Sequence, residues 1–154
     1  MIDPHRRTVT PWLAVEDARA AHDFYTRAFD ATSLACEPSN GRIVLGLLRF
    51  GDSLVAVVEP MEAMGLLGPK DGGMCSIALD VPDADAMLSK AVSLGARAIA
   101  PVRTSFAGER HGLVVCPFGH RWILSTCTED LAIDQVLERY RAFSDLERRT
   151  PWDS

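Results

Sequence analysis

The chain writes one supersecondary phrase twice, and this repeat limits its possible folds more than any single motif does. Arg49-Phe50-Gly51-Asp52-Ser53-Leu54-Val55-Ala56-Val57 is matched by Pro117-Phe118-Gly119-His120-Arg121-Trp122-Ile123-Leu124-Ser125, with Gly51 on Gly119, a shift of 68 residues. Upstream, Thr10-Pro11-Trp12-Leu13-Ala14-Val15-Glu16-Asp17-Ala18 matches Ser76-Ile77-Ala78-Leu79-Asp80-Val81-Pro82-Asp83-Ala84 at a shift of 66. In the later phrase a tight turn at Pro117 to Gly119 separates two apolar runs, Leu113-Val114-Val115 and Trp122-Ile123-Leu124, the pattern of a β-hairpin.

Each copy reads as β-α-β-β-β. In the first, residues 8–15 form a strand whose Pro11 calls for a sheet edge or a gap in pairing. Asp17 caps a helix over 18–29, with Ala21, Phe24, Tyr25 and Ala28 on one stripe. Asp30 stands where a left-handed residue would stop that helix, and the second copy has Gly95 there. Strands over 32–37, 42–50 and 53–59 follow, joined by turns at Asn40-Gly41 and Gly51-Asp52. The second copy repeats this with a strand over 75–81, the cap Asp83, a helix over 84–94 and strands over 98–103, 112–116 and 121–127.

Between the copies lies a linker, 61–73, whose Gly65, Gly68, Pro69, Gly72 and Gly73 oppose a long helix. Its Met61, Met64 and leucines suit a segment that lies against the body of the protein. A last amphipathic helix spans 132–146, with Ile133, Val136, Leu137, Tyr140 and Phe143 on one stripe, and the tail 148–154 is expected to fray.

One copy cannot bury both its helix and its sheet face, so the 154 residues are expected to form a single domain, 1–154, from two combined modules. Module one covers about 8–60 and module two about 74–127. The net charge of −5 argues against a nucleic-acid or anionic-membrane partner, because either needs a basic face. No apolar run approaches the ~20 residues of a membrane span, and the first residues lack the apolar core of a signal peptide. Cys36, Cys75, Cys116 and Cys127 are widely spaced with no C-x-x-C, which reads as buried, reduced, structural thiols in a cytoplasmic protein.

The phrases V-T-P-W-L-A-V-E-D-A and P-F-G-H-R-W, the latter followed by T-E-D-L, resemble the vicinal oxygen chelate superfamily of glyoxalase I, bleomycin-resistance proteins and extradiol dioxygenases, in its PhnB-like branch. The resemblance covers about 8–131. It implies an α+β fold, two tandem βαβββ modules forming a cup-shaped incomplete barrel, plus a C-terminal helix. Enzymes of this superfamily hold a divalent metal through one residue on the first and one on the last strand of each module. Those positions match Thr10, Val55, Ser76 and Ile123, none of them a strong ligand. Displacing the alignment by one gives Pro11, Leu54, Ile77 and Trp122, or Val9, Ala56, Cys75 and Leu124, of which Cys75 alone could bind metal. No metal and no cofactor are therefore expected.

Side chains two apart on a strand share a face. With Thr10 on the cavity face, Trp12 and Ala14 join it, while Leu13 and Val15 face the helices. Ser53, Val55 and Val57 are then expected to line the first half of a ligand site, and Ser76, Ala78, Arg121, Ile123 and Ser125 the second. The alternative is a solid core with Trp12 as filler. No catalytic residue is assigned. Glu59, Asp80 and Glu109 are acid–base candidates without an obvious partner. His22 reads as a surface residue, His111 as a solvated loop residue, His120 as a turn residue bonded to nearby backbone, and His5 as one of a scattered set.

The resulting expectation is a cytoplasmic binding protein of the bleomycin-resistance type, taking a small apolar or aromatic molecule such as an antibiotic or metabolite in a metal-free cleft. The rival is an enzyme with displaced metal ligands or carboxylate acid–base catalysis, and a third reading is a structural dimer without a ligand. Exposed β-edges imply a homodimer. Elemental analysis after purification without chelator should find well under one metal per chain. One equivalent of zinc, nickel or iron, lost together with an activity, would favour the enzyme.

Overall fold

The computed structural model describes residues 7–146. His5, the tail 148–154 and the side chain of Phe143 lie outside the described residues. The first copy folds as β1 (Trp12–Ala14), α1 (Ala18–Ala28), β2 (Thr32–Ser39), β3 (Arg42–Phe50) and β4 (Ser53–Val58). The second gives β5 (Ser76–Asp80), α2 (Ala84–Ser93), β6 (Arg97–Thr104), β7 (Glu109–Val115) and β8 (Arg121–Cys127), followed by α3 (Ile133–Leu146). Two open four-stranded sheets result, ordered β1-β4-β3-β2 and β5-β8-β7-β6, so the duplicated sequence yields a duplicated topology and an α+β fold.

Local chemistry sets the helix boundaries. The Asp17 carboxylate accepts the Ala20 N–H at 2.8 Å, and Asp83 accepts the Ala86 N–H at 2.9 Å, so both helices start on a capping aspartate. Both stop at a left-handed residue, Asp30 at φ 55° and Gly95 at φ 108°. β1 is shorter than its apolar run because it is an edge strand parallel to β4 over Trp12, Leu13 and Ala14. Pro11 lies just outside it, its carbonyl accepting the Ala56 N–H at 2.8 Å. That arrangement suits a residue with no N–H to give.

The described residues divide into two compact units, one running up to Cys75 and including Cys116–Arg121, the other of Ser76–Val115 and the residues from Trp122 onward. The core of the first lies between α1 and its sheet. Leu13, Leu48, Val55 and Val57 are buried there, with an aromatic cluster of Phe24, Tyr25, Phe29, Phe50 and Phe118. The Tyr25 hydroxyl lies 3.3 Å from the buried Cys116 thiol. The linker belongs to this unit and is tied down: Met61 donates to Leu66 at 2.9 Å, Gly73 donates to Gly68 at 2.9 Å, and Lys70 pairs with Glu16 at 2.7 Å. In the second unit Val114, Trp122 and Leu124 are fully buried, and Thr126 accepts the Ala84 N–H at the start of α2. Among the described residues no helix is long and apolar enough to cross a membrane.

Register corrects one expectation. Trp12 is paired with Ala56 and Leu13 with Val57, so Val57 shares the face of Leu13 rather than that of Trp12. Val55 pairs with Leu48 and Ser53 with Phe50, whose ring meets Tyr25 of α1. Ser53, Val55 and Val57 therefore stand on the helix side. Leu54, Ala56 and Val58 take the face of Trp12 and Ala14. The cause is a difference in turn length. The bonds Val15 N–H to Val58 O and Val81 N–H to Ser125 O are equivalent in the two copies. Their donors are 66 residues apart and their acceptors 67, so the shift of 68 taken from the glycines slips the last strand by one.

The caps test the repeat directly. D17A and D83A should each lower unfolding stability by about 1 kcal/mol in urea titrations. An unchanged midpoint in either would mean that the helix is held from elsewhere.

Candidate functional site

The turn between β7 and β8 carries the feature around which the site is built. Gly119 has φ +97°, and a Cβ there would come within 2.8 Å of Pro69, so this turn needs glycine for both conformation and space. Cys116 accepts from the Gly119 N–H at 3.0 Å and donates its own N–H to the His120 carbonyl at 2.9 Å. This holds His120 with its ring inside the first unit, 2% exposed. Its Nε2 lies 3.2 Å from the carbonyl oxygen of Ala14 on β1. A carbonyl only accepts, so Nε2 carries the proton and Nδ1 is left as an acceptor in the neutral ring. The Cys75 thiol lies 3.9 Å from that Nδ1. His120, expected to bond to nearby backbone, instead meets a main-chain carbonyl 106 residues away in the sequence.

Trp12, Ala14, Leu66, Leu67, Met74, Cys75 and His120, with linker glycines, line a cleft of about 320 Å³ beside β1. Trp12 is 48% exposed, so its indole stands on this open edge rather than filling a core. Cys75, expected to be a buried hydrophobe, is exposed; the partial shielding of its thiol raises its pKa. Burial pushes the His120 pKa down, against the bond to Ala14, which raises it. A second cleft of about 390 Å³ is lined by Glu16, Asp17, Pro69, Lys70, Asp71 and Phe118 among others. Of its charges, Glu16 pairs with Lys70 and Asp17 caps α1.

Trp12 is the expected ligand-binding residue that lines the cleft beside β1. In the second unit, Gly112 faces Leu88 of α2, and Arg110 pairs with Asp85 of α2 at 2.9 Å. Glu109 and His111 therefore lie on the opposite face of β7. Ser125 donates to Glu109 at 3.1 Å, and His111 Nδ1 lies 3.5 Å from the same carboxylate. Alternation places Arg121 and Ile123 on the face of Ser125, while Ser76 and Ala78 are exposed on β5. His111 is thus a strand residue with a carboxylate neighbour, not a solvated loop residue. Glu59, an acid–base candidate, is engaged by Arg42 and by the Ile43 N–H. His22 is also corrected: it is 5% exposed, its Nε2 is 3.2 Å from Ser33 Oγ, and burial lowers its pKa.

The metal positions fail a test of donor chemistry. With the last strand in its true register they are Thr10, Ala56, Ser76 and Ile123, two hydroxyls and two hydrocarbons. Among the described residues no group of three or more His, Cys, Asp or Glu could hold a metal ion. The residues present do not fit the superfamily's metal.

No protein-family profile matches the chain. An uncharacterized Mycobacterium bovis protein, Mb0911c, is 32% identical over 136 residues, 83% of this chain and 88% of its own length. Uncharacterized protein Rv0887c of Mycobacterium tuberculosis is 32% identical over 79% of its length. Among solved structures, TioX from Micromonospora sp. ML1 superposes with a TM-score of 0.66 at 24% identity, covering 79% of this chain and 98% of that one. A glyoxalase-related enzyme from Fulvimarina pelagi gives 0.63 at 17% identity, over 79% and 88%. TnmS3, an antibiotic binding protein from Streptomyces sp. CB03234, gives 0.62 at 18%, over 82% and 99%. By sequence the chain belongs to one family with the mycobacterial proteins, and its fold is shared with the glyoxalase-related and antibiotic binding proteins above.

Two buried neutral histidines set a pH dependence. Their folded pKa values lie below the ordinary ~6.5, so between the two values the unfolded chain binds more protons. Stability is fully present above about pH 6.5 and is lost as pH falls below it. Urea midpoints should drop from pH 7 to pH 5, and H22Q should flatten part of that slope. A pH-independent midpoint across this window would contradict the burial of both rings.

Proposed function

We propose that the protein binds a small, flat, largely apolar molecule in the cleft beside β1, with Trp12 as its stacking surface. The observation that carries this reading is the half-exposed indole set against Leu66, Leu67 and Met74, on a sheet edge whose metal positions hold no ligating chemistry. A volume of about 320 Å³ is at the small end of ligand clefts, which run ~300–1,000 Å³, and suits a ring system of two or three fused rings. Burying ~200 Å² of apolar ligand surface yields roughly 5 kcal/mol gross, so micromolar binding also needs polar contacts. The antibiotic binding of TnmS3, a protein of the same fold, supports a sequestration role, and a cytoplasmic homodimer of PhnB-like type is part of the same proposal.

A second reading, carboxylate acid–base catalysis, draws on Glu109, which accepts from Ser125 with His111 at 3.5 Å. It predicts turnover that E109Q abolishes, whereas the binding reading predicts none.

Planar aromatic compounds should quench tryptophan fluorescence saturably. W12A should fold normally, as expected for an exposed side chain, and bind more weakly by about 1–2 kcal/mol. W12F should keep most of the affinity. Full affinity in W12A would remove Trp12 from the site, and a broad aromatic library that binds nothing would remove the cleft.

A further inference from the structure

We propose that Cys75 and His120 make this cleft an addition site for electrophilic ligands, flat compounds carrying an α,β-unsaturated carbonyl such as quinones. The proposal rests on the binding reading above and goes beyond it by naming a ligand class and a bond. Three observations carry it. Cys75 Sγ and His120 Nδ1 are 3.9 Å apart, and both residues line the cleft with Trp12. The bond from His120 Nε2 to the Ala14 carbonyl fixes the tautomer, which turns the basic nitrogen toward sulfur. Cys75 is exposed at the cleft wall, while the ring that faces it is buried, so the thiol is open to a ligand and its base is shielded.

The other thiols have different surroundings. Cys116 is buried beside Tyr25, Cys127 donates to the Glu129 carbonyl at 3.2 Å, and Cys36 is half-buried in β2. Shielding keeps the Cys75 thiol protonated at rest, so attack waits for a base. As the ligand seats on Trp12, the S–H proton passes to His120 Nδ1 and sulfur forms a bond to the β-carbon. The C=C π pair moves onto the carbonyl as an enolate, and Nδ1–H returns its proton to the α-carbon. The sum is addition of S–H across C=C, with a thioether as product. No oxidant, reductant or further reactant takes part.

The test uses the full chain with 1,4-naphthoquinone as electrophile and 2,3-dimethyl-1,4-naphthoquinone as the substituted analogue that disfavours addition. Peptide mapping by mass spectrometry should place the adduct on Cys75 before Cys36 or Cys127 in the wild-type protein, a competition that needs no variant. H120Q, checked for folding by circular dichroism, should slow labelling of Cys75 by about 100-fold, the usual scale of a lost general base. C75S should lose the adduct. Labelling that reaches Cys36 and Cys127 as fast as Cys75, or an unchanged rate in a folded H120Q, would overturn the proposal. Saturable quenching by the dimethyl analogue without Cys75 labelling by naphthoquinone overturns the addition site and leaves the binding reading standing. Fast, selective labelling without any saturable quenching supports the thiol and its base and overturns the binding reading.

Discussion

The first unit depends on one buried hydrogen bond, from the imidazole of His120 to the main-chain carbonyl of Ala14. β1 is a three-residue edge strand, and its outer carbonyl would otherwise face a cleft without a strand to pair with. The ring satisfies it, and in doing so it fixes the turn after β7 within the unit. With the turn come Phe118, which joins the aromatic cluster, and Gly119, which sits where a side chain would strike Pro69. The imidazole must be neutral for the arrangement to hold its tautomer, and burial supplies that neutrality.

The same bond makes chemistry of a structural requirement. A buried histidine with one nitrogen committed to a carbonyl has the other free to accept, and here it meets a thiol at the wall of the cleft. At the positions where the resemblance implies metal ligands, this chain places two hydroxyls and two hydrocarbons. On the proposed reading, affinity comes from apolar area and shape, with the exposed indole of Trp12 as the central contact.

Much of the fold was legible in sequence because local rules agreed with each other. Asp17 and Asp83 cap, Asp30 and Gly95 stop, and the apolar stripe of α1 is buried as its period requires. The face of the last strand in module one was not legible. Matching Gly51 to Gly119 ignored the longer turn in the second copy, and one residue of slip moves every side chain to the other face. That is why Val55 and Val57 were placed beside Trp12 and are instead packed toward α1. The site was less legible still. Trp12 could be placed on its strand by alternation, but the partner of His120 is distant in sequence, and no spacing rule brings Cys75 to a ring 45 residues away.

The central claim is that the cleft beside β1 is where this protein meets its ligand. Side-chain and amide NMR during titration with a flat aromatic compound tests it most directly. The account predicts that shifts concentrate on the Trp12 indole, Leu67, Met74, Cys75 and the His120 ring. Shifts confined to the cleft around Phe118 and Lys70, or to Glu109, His111 and Ser125, would contradict it.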